Sequence, residues 1–415
     1  MKRCIKYVIA MSIMAIFVAC TTQHEEIEIV PKTTANLKIS KEQALTYLYG
    51  DLRLIDGEKT RSGQSPRTVK SIKQLKGART RSGKTLPSDL LYIVEFEEGQ
   101  GSAVLSADAR ITPVIAILDE SVLTEEDFAS SNTEEIGPFV ASLITNHAEM
   151  SVQNNRAGFL PHPGGIIADT VFYYHRPAFL RTKWHQDSPY NQFCHYNNQI
   201  DTLAGCVPVA IAQFLFHTKW SEGTTSITVN NTPIDLSLVS YCQFGEGARA
   251  VHLREAAKLI HAVGVSLGIN YSSGYVGVVM SDGVQSFMRS LGYSGAHYTE
   301  WEYNPVFSKV YGLGKPMIMR GKQSGADNGH AWVLDGWDEY QIGCPRFTID
   351  GGVVYDYLTA RKVHCNFGWG GLCDGYYTIG AFDTTVENPD IELGVGDYKG
   401  TATSNYNCRF YIVNY

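Results

Sequence analysis

The sequence predicts an α+β protein of two domains. Its 415 residues exceed one typical domain. Strand-like runs and helical stretches occur on both sides of a Gly/Pro cluster at Gly158 to Gly165. Hydrophobic residues make up 44% and charged residues 19% of the chain, enough apolar material to bury cores of this size. The net charge of −7 excludes the basic face that nucleic-acid binding requires.

The first elements read as an export signal. Lys2, Arg3 and Lys6 precede an apolar run from Tyr7 to Ala19 that is too short to cross a bilayer. The run ends in Phe17-Val18-Ala19-Cys20, which resembles a bacterial lipoprotein signal with Cys20 as the lipidated residue. Phe17 stands where such signals usually carry Leu. A plain cleaved signal with an incidental Cys is the competing reading. The expectation is a signal peptide at 1–19, a lipid-anchored tether at 20–35, and a protein exported to the outer membrane or cell surface, held there by the lipid alone or released after processing. No run of 18 apolar residues lies beyond the N-terminus, so nothing in the mature chain is expected to span a membrane.

The next stretch, 36–165, reads as a small α+β domain. Ser40-Lys41-Glu42-Gln43 is a capping-box pattern, with Ala44, Leu45 and Leu48 on one face of the helix it opens. Residues 59–88 hold nine Lys or Arg and no acid, and read as an exposed basic loop, solvated or open to nicking. Leu91 to Phe96, Ala103 to Leu105 and Pro113 to Leu118 predict strands of a small antiparallel sheet, and 135–155 a helix. The Gly/Pro cluster marks the boundary, and 166–415 is the second domain, denser in aromatics, Gly and Cys.

The chemistry lies in that second domain. Seven of the nine Cys fall beyond residue 190, an odd number whose pairing the sequence leaves open. No Cys-x-x-Cys occurs, so a structural zinc is not expected, and the thiol chemistry read below calls for no metal or organic cofactor. Cys206 stands out. Gly205 precedes it, Pro208 suits only a first helical turn, and Val207, Ala210, Ile211 and Phe214 recur at helical spacing. A thiol at a buried helix N-terminus is stabilised as thiolate, and Gly205 lets a substrate backbone approach. A buried structural Cys is the competing reading. His330, after Gly329, opens a strand just beyond a Gly-rich loop; a core histidine is its alternative. Asn366 ends a strand and enters a glycine-rich turn, where its side-chain oxygen is placed to hold an imidazole tautomer. The chain order Cys, His, Asn fits a papain-like arrangement.

Together these segments resemble the streptopain family of secreted bacterial cysteine peptidases. Gly205-Cys206-Val207 with Ala210, Ala212 and Gln213, Gly329-His330-Ala331 with Asp335-Gly336, and Asn366-x-Gly-Trp-Gly-Gly with Asp374-Gly375 carry the likeness. Trp184 to Asn191 is similar to the family's Gln-x-x-Pro-Tyr-Asn segment, and Ser106 to Arg110 to a turn of its propeptide. Phe367 departs from the family's usual Trp. The resemblance implies a papain-like, two-lobed peptidase domain preceded by an inhibitory prodomain that blocks the cleft of a zymogen. It implies protein or peptide substrates, with the chain's own prodomain as intramolecular inhibitor. It further implies that Cys206 attacks as a thiolate paired with protonated His330, that Asn366 holds the imidazole, that Trp369 shields that bond, and that Gln186 donates to the oxyanion. Transfer of the acyl group to an amine, and a surface binding lipoprotein on a decayed peptidase fold, are the alternatives.

Overall fold

The computed structural model describes residues 37–57, 67–78, 86, 89–132, 134–153, 170–197, 200–243, 247–273, 282–323, 329–347, 353–382 and 408–415. The export signal, Cys20 and the Gly/Pro cluster lie outside them, as do the domain limits drawn there. Helix α1 (Lys41–Ile55) starts at the capping box read from sequence. Ser40 accepts from the backbone of Gln43, whose side chain accepts from Ser40. Ala44, Leu48 and Leu52 form its buried face. Strands β1 (Val69–Gln74), β2 (Leu91–Phe96), β3 (Ser102–Ser106) and β4 (Val114–Leu118) follow as an antiparallel meander.

β1 corrects the reading of 59–88 as a loop. It lies inside the basic stretch as an edge strand, and Leu75, Ala78 and Leu86 beyond it enter the core. Its lysines Lys70 and Lys73 face solvent, a common guard on an exposed sheet edge. A register shift between Val69 and Ser71 breaks the alternation, which hid the strand from a period-two search. The short helix α2 (Glu125–Ala129) and then α3 (Ile136–Gln153) close this part of the chain.

After β5 (Thr170–Arg176) comes a small hairpin of β6 (His195–Tyr196) and β7 (Ile200–Asp201). Helix α4 (Cys206–Ser221) is followed by the hairpin β8 (Ser226–Val229) and β9 (Thr232–Asp235). Helices α5 (Leu236–Val239), α6 (Ala250–Ser266) and α7 (Asp282–Ser290) lead to β10 (His297–Glu300) and α8 (Tyr303–Val306). The remaining strands are β11 (Met317–Gln323), β12 (Gly329–Phe347), β13 (Val353–Asn366), β14 (Gly375–Thr378) and β15 (Cys408–Asn414).

One antiparallel sheet joins most of them, in the order β1-β2-β3-β4-β14-β13-β12-β11-β15-β10. It crosses from the N-terminal meander to the rest through β4 and β14, where Leu118 pairs with Gly375. β12 holds β13 along one side. On the other side its first residues pair with β11 and its later ones with β5. Side chains alternate between two hydrophobic cores. Met317, Met319, Trp332, Leu334 and Ile412 pack with Phe139, Val140, Leu143 and Ile144 of α3. Ile318, Ala331, Val333 and Val413 pack with Val207, Ile211 and Phe214 of α4 and Leu259 and Val263 of α6. Each such Val, Leu, Ile, Met or Phe side chain, fully buried, contributes about 1.5–3 kcal/mol. Among the described residues no helix is long and apolar enough to cross a membrane.

A buried ion pair ties α1 to the sheet. Lys362 Nζ lies 2.8 Å from Asp51 Oδ2, both side chains are at most 1% exposed, and the Tyr340 hydroxyl donates to the same carboxylate. Desolvation pushes the Asp51 carboxyl above its usual range, with Lys362 opposing. Lys362→Met should therefore lower stability in denaturant unfolding by about 3–5 kcal/mol, because it strands a buried carboxylate. Asp51→Leu combined with Lys362→Met should recover most of that loss, and a double variant as unstable as the single one would show that the pair itself holds α1.

Candidate active site

Three segments meet where α4 begins. Gly205 is the N-cap residue, with φ at 93°, in the left-handed region that glycine enters without strain. The chain can then turn directly into the helix at Cys206, with Pro208 in its first turn. Five cysteines are described with free thiols, and of these only Cys206 is not fully buried. Burial pushes Cys242 to about 11 and Cys373 to about 12, which makes those thiols inert. Burial raises Cys206 too, but the backbone N–H groups of Ala331 and Val207 and the Arg320 guanidinium pull its thiol back.

His330 is the second residue of β12. By alternation it shares a face with Trp332, on the α3 side, whereas Ala331 and Val333 lie on the α4 side with Cys206. Phe139 of α3 meets the imidazole edge-on with ring centroids 5.4 Å apart, and Trp332 and Phe367 stack on it at 6.0 and 6.1 Å. Its Nε2 lies 2.8 Å from the Phe367 carbonyl, which only accepts, so Nε2 carries the proton. Burial lowers the imidazole to about 4, opposed by that carbonyl. Among the described residues no hydrogen bond joins thiol and imidazole. In the full-length chain burial thus favours the neutral thiol and the neutral imidazole, and alternation puts them on different sides of β12.

In the full-length chain Asn366 makes no hydrogen bond to the imidazole among the described residues. It is the last residue of β13, and its side chain is engaged elsewhere. Its Oδ1 accepts from Gln213 Nε2 at 3.0 Å and from the Gly368 backbone at 3.2 Å, and its Nδ2 donates to the Thr182 carbonyl at 2.8 Å. The main-chain carbonyl one residue on takes the imidazole instead. Residue 367 is fixed by Asp374, whose Oδ1 accepts from the Phe367 N–H at 2.7 Å, and Gly368 turns the chain with φ at 69°. Burial pushes the Asp374 carboxyl up to about 8. Trp369, expected to cover a His–Asn bond, has its ring centroid 6.3 Å from that of His330 and so flanks the bond to Phe367.

Gln186 is buried, and its carbonyl accepts from the Ala204 N–H at 2.8 Å, which ties it to the approach into Gly205. Two residues earlier, the Trp184 carbonyl accepts from Gly370 at 3.0 Å. The segment of Gln186 is thereby stitched to both the start of α4 and the 366–371 turn. Gly329 has a steric role: a Cβ there would sit 2.6 Å from the Gly321 carbonyl. The sequence reading quoted Gln213 and Asp374 within its motifs but gave them no role, and it missed Phe139 and Arg320 as neighbours of the site. Gln213 left a signal, since it is the one polar residue among buried residues from Val207 to Phe216 of α4. Phe139 left none, being one of several apolar residues of α3. Among the described residues no group of three or more His, Cys, Asp or Glu is arranged to hold a metal ion.

One family model matches part of the chain. Residues 184–377 match the family model of the Peptidase C10 family. Streptopain of Streptococcus pyogenes is 22% identical over 408 residues, covering 88% of this chain and 88% of its own. Among solved structures, a prointerpain A fragment from Prevotella intermedia aligns over 84% of this chain and 98% of its own, at 20% identity and a TM-score of 0.49. Active wild-type interpain A cysteine protease from Prevotella intermedia aligns over 60% of this chain and 98% of its own, at 21% identity and a TM-score of 0.37.

The neutral, separated pair has a measurable consequence. In the full-length chain, the alkylation step of Cys206 should lie above the free-thiol value of about 8.5, because burial raises the thiol and holds the imidazole, lowered to about 4, neutral at that pH. Phe139→Ala frees one wall of His330 and should move the alkylation step to lower pH. The check is peptide-level mass spectrometry after iodoacetamide treatment across pH 4–10. A step already below pH 6 in the wild-type full-length chain would mean that thiol and imidazole pair in solution.

Proposed function

The chain carries a Peptidase C10 family domain and is a cysteine-type endopeptidase of zymogen fold; from that premise we propose that Cys206, His330 and Gln186 do its chemistry and that 36–165 is the prodomain that holds them inactive. The single observation that carries this is the placement of Cys206. It is the one described free thiol that is not fully buried, it opens a helix, and it adjoins Ala331 next to His330. Residues 166–415 then form the catalytic domain. In the intact chain α3 keeps His330 on its own face of β12 through Phe139. Once α3 leaves, the imidazole is free to turn toward the thiol.

The reaction follows from those groups. His330 takes the thiol proton, and the Cys206 thiolate attacks the peptide carbonyl carbon. The carbonyl oxygen gains the negative charge and is met by the Gln186 side chain and the Cys206 N–H. The C–N bond breaks, and the imidazolium gives its proton to the leaving amine. Water then attacks the thioester carbon, passes a proton to His330, and releases the acid and the thiolate. The Phe367 carbonyl keeps the proton on Nε2, which leaves Nδ1 to face the thiol.

Export of this peptidase, with cleavage before Cys20 and a lipid on that residue, rests on the basic start, the short apolar run and the small residue at Ala19. Its substrates would be proteins and peptides outside the cell, and its own prodomain the intramolecular inhibitor. Cys206→Ala should fold, show no hydrolysis of a casein-type substrate, and accumulate as precursor in a host lacking other proteases. Retained hydrolysis would remove Cys206 as nucleophile. Gln186→Ala should lower turnover roughly 100- to 1000-fold while the thiol still reacts with iodoacetamide. Turnover near wild type would place the oxyanion donor elsewhere.

A further inference from the structure

We propose that Gln213 and Asn366 form a buried amide junction that fixes the three catalytic segments relative to one another, which makes Gln213 a positioning residue for the peptidase reaction. Gln213 lies two helical turns after Cys206 on α4 and is 0% exposed. Its Nε2 donates to Asn366 Oδ1 at 3.0 Å, and its Oε1 accepts from the Trp184 N–H at 3.5 Å. Asn366 in turn accepts from the Gly368 N–H and donates to the Thr182 carbonyl. Two side chains thus bind the nucleophile's helix, the segment that leads to Gln186, and the turn that carries the partner of His330.

The orientation of both amides is determined by the backbone. The Gly368 N–H can only donate and the Thr182 carbonyl can only accept, so Asn366 must turn its oxygen to the first and its nitrogen to the second. Its oxygen then faces Gln213, which must offer nitrogen. Flipping either amide sets like groups against each other, so the junction has one low-energy arrangement.

The effect on chemistry runs through one peptide unit. The Gly368 N–H and the Phe367 carbonyl belong to the same amide. Asn366 Oδ1 accepts from its N–H, and His330 Nε2 donates to its oxygen. Each bond polarises the amide in the sense that strengthens the other. Gln213 holds Asn366 Oδ1 in place for that role, and so acts on the imidazole without touching it. This explains a polar residue on an otherwise apolar buried stretch of helix, where an aliphatic side chain of the same size would satisfy packing alone.

The proposal rests on the reading that Cys206 attacks and His330 moves the proton. The wild type tests that reading separately: peptidase activity that survives complete alkylation of Cys206 would remove it, and the junction's role with it. The junction itself is tested with the full chain carrying Gln213→Leu, Asn366→Leu, both together, or Gln213→Glu. Each is processed to completion by a small amount of tagged wild-type enzyme that is then withdrawn. Gln213→Leu should lower kcat roughly 100-fold, the cost of misplacing a catalytic group by about 1 Å, with KM little changed. The alkaline limb of the kcat/KM profile should move to lower pH, because an imidazolium that loses a polarised partner gives up its proton more readily. The double variant should lose about as much as the worse single one, since both remove the same unit. Where Gln213→Leu lacks a cooperative melt, Gln213→Glu is read instead; it keeps the shape and sets a carboxylate against Asn366 Oδ1. A lower melting temperature with kcat and pH profile unchanged would reduce Gln213 to a structural residue and overturn the proposal. So would losses in the two single variants that multiply in the double.

Discussion

The period-two alternation of β12 is the constraint on which the site depends. Ala331 and Val333 must pack under α4, and Trp332 and Leu334 must pack under α3. His330 takes its face from that pattern, and so does its distance in character from Cys206. A slip of one residue would expose Trp332 to the α4 side and place two small side chains under α3. The strand cannot slip, because β13 pairs with it over most of its length and β11 and β5 share its other side. The imidazole is therefore presented at a rigid strand mouth, and any approach to the thiol is a side-chain rotation, not a movement of the sheet.

The contact between the N-terminal segment, from α1 to the residues just after β4, and the rest has a consistent polarity. Asp51, Asp119 and Glu120 supply carboxylates, and Lys362, His364 and Lys183 receive them. His364 is the central case. It lies between Asp335 at 2.6 Å and Asp119 at 3.1 Å, and although burial opposes its charge, the two carboxylates hold it well above the usual imidazole value. A folded value raised in this way adds stability that is complete below the unfolded imidazole value and is lost as pH rises through the folded one. Asp119 is held below its usual range by His364, with burial working against it, so its share is present above the unfolded carboxyl value and fades in acid. The seam is thus strongest at neutral and mildly acid pH. It lies close behind the catalytic turn, since Asp119 N–H donates to the Asp374 carbonyl and the Asp374 side chain fixes Phe367.

What the sequence made legible is what local rules govern. The capping box at Ser40, the strands at 91–96, 103–105 and 113–118, the helix start at Cys206, and the strand ends at His330 and Asn366 all depend on neighbours a few residues away. The partners that Asn366 has in the full-length chain are ones sequence spacing does not contain. Three partners from Thr182, Gln213 and Gly368 converge on its amide, and two of them are more than 150 residues distant. The carbonyl that replaces it belongs to the backbone, and no residue type advertises it. β1 was hidden by its bulge and its lysines, which serve an edge strand as well as they would a loop.

Keeping thiol and imidazole apart reconciles two demands on the same residues. A thiolate–imidazolium pair buried under α3 would carry a desolvation cost that its Coulomb attraction repays only with full hydrogen bonding. With α3 in place, the site meets burial by neutralising both groups: His330 falls to about 4, and the Cys206 thiol is pushed up. The neutral forms are the stable ones as long as Phe139 excludes water from the ring. Water returning to that face would lift the desolvation penalty from the imidazole first, because burial is the largest cause of its shift. A protonated imidazole would then favour the thiolate in turn, so the two groups charge together. The Phe367 carbonyl already waits to stabilise the imidazolium, and the Ala331 and Val207 N–H groups to stabilise the thiolate. If Cys206 and His330 do the chemistry as proposed, latency therefore needs no distortion of the site beyond one side chain and its hydration.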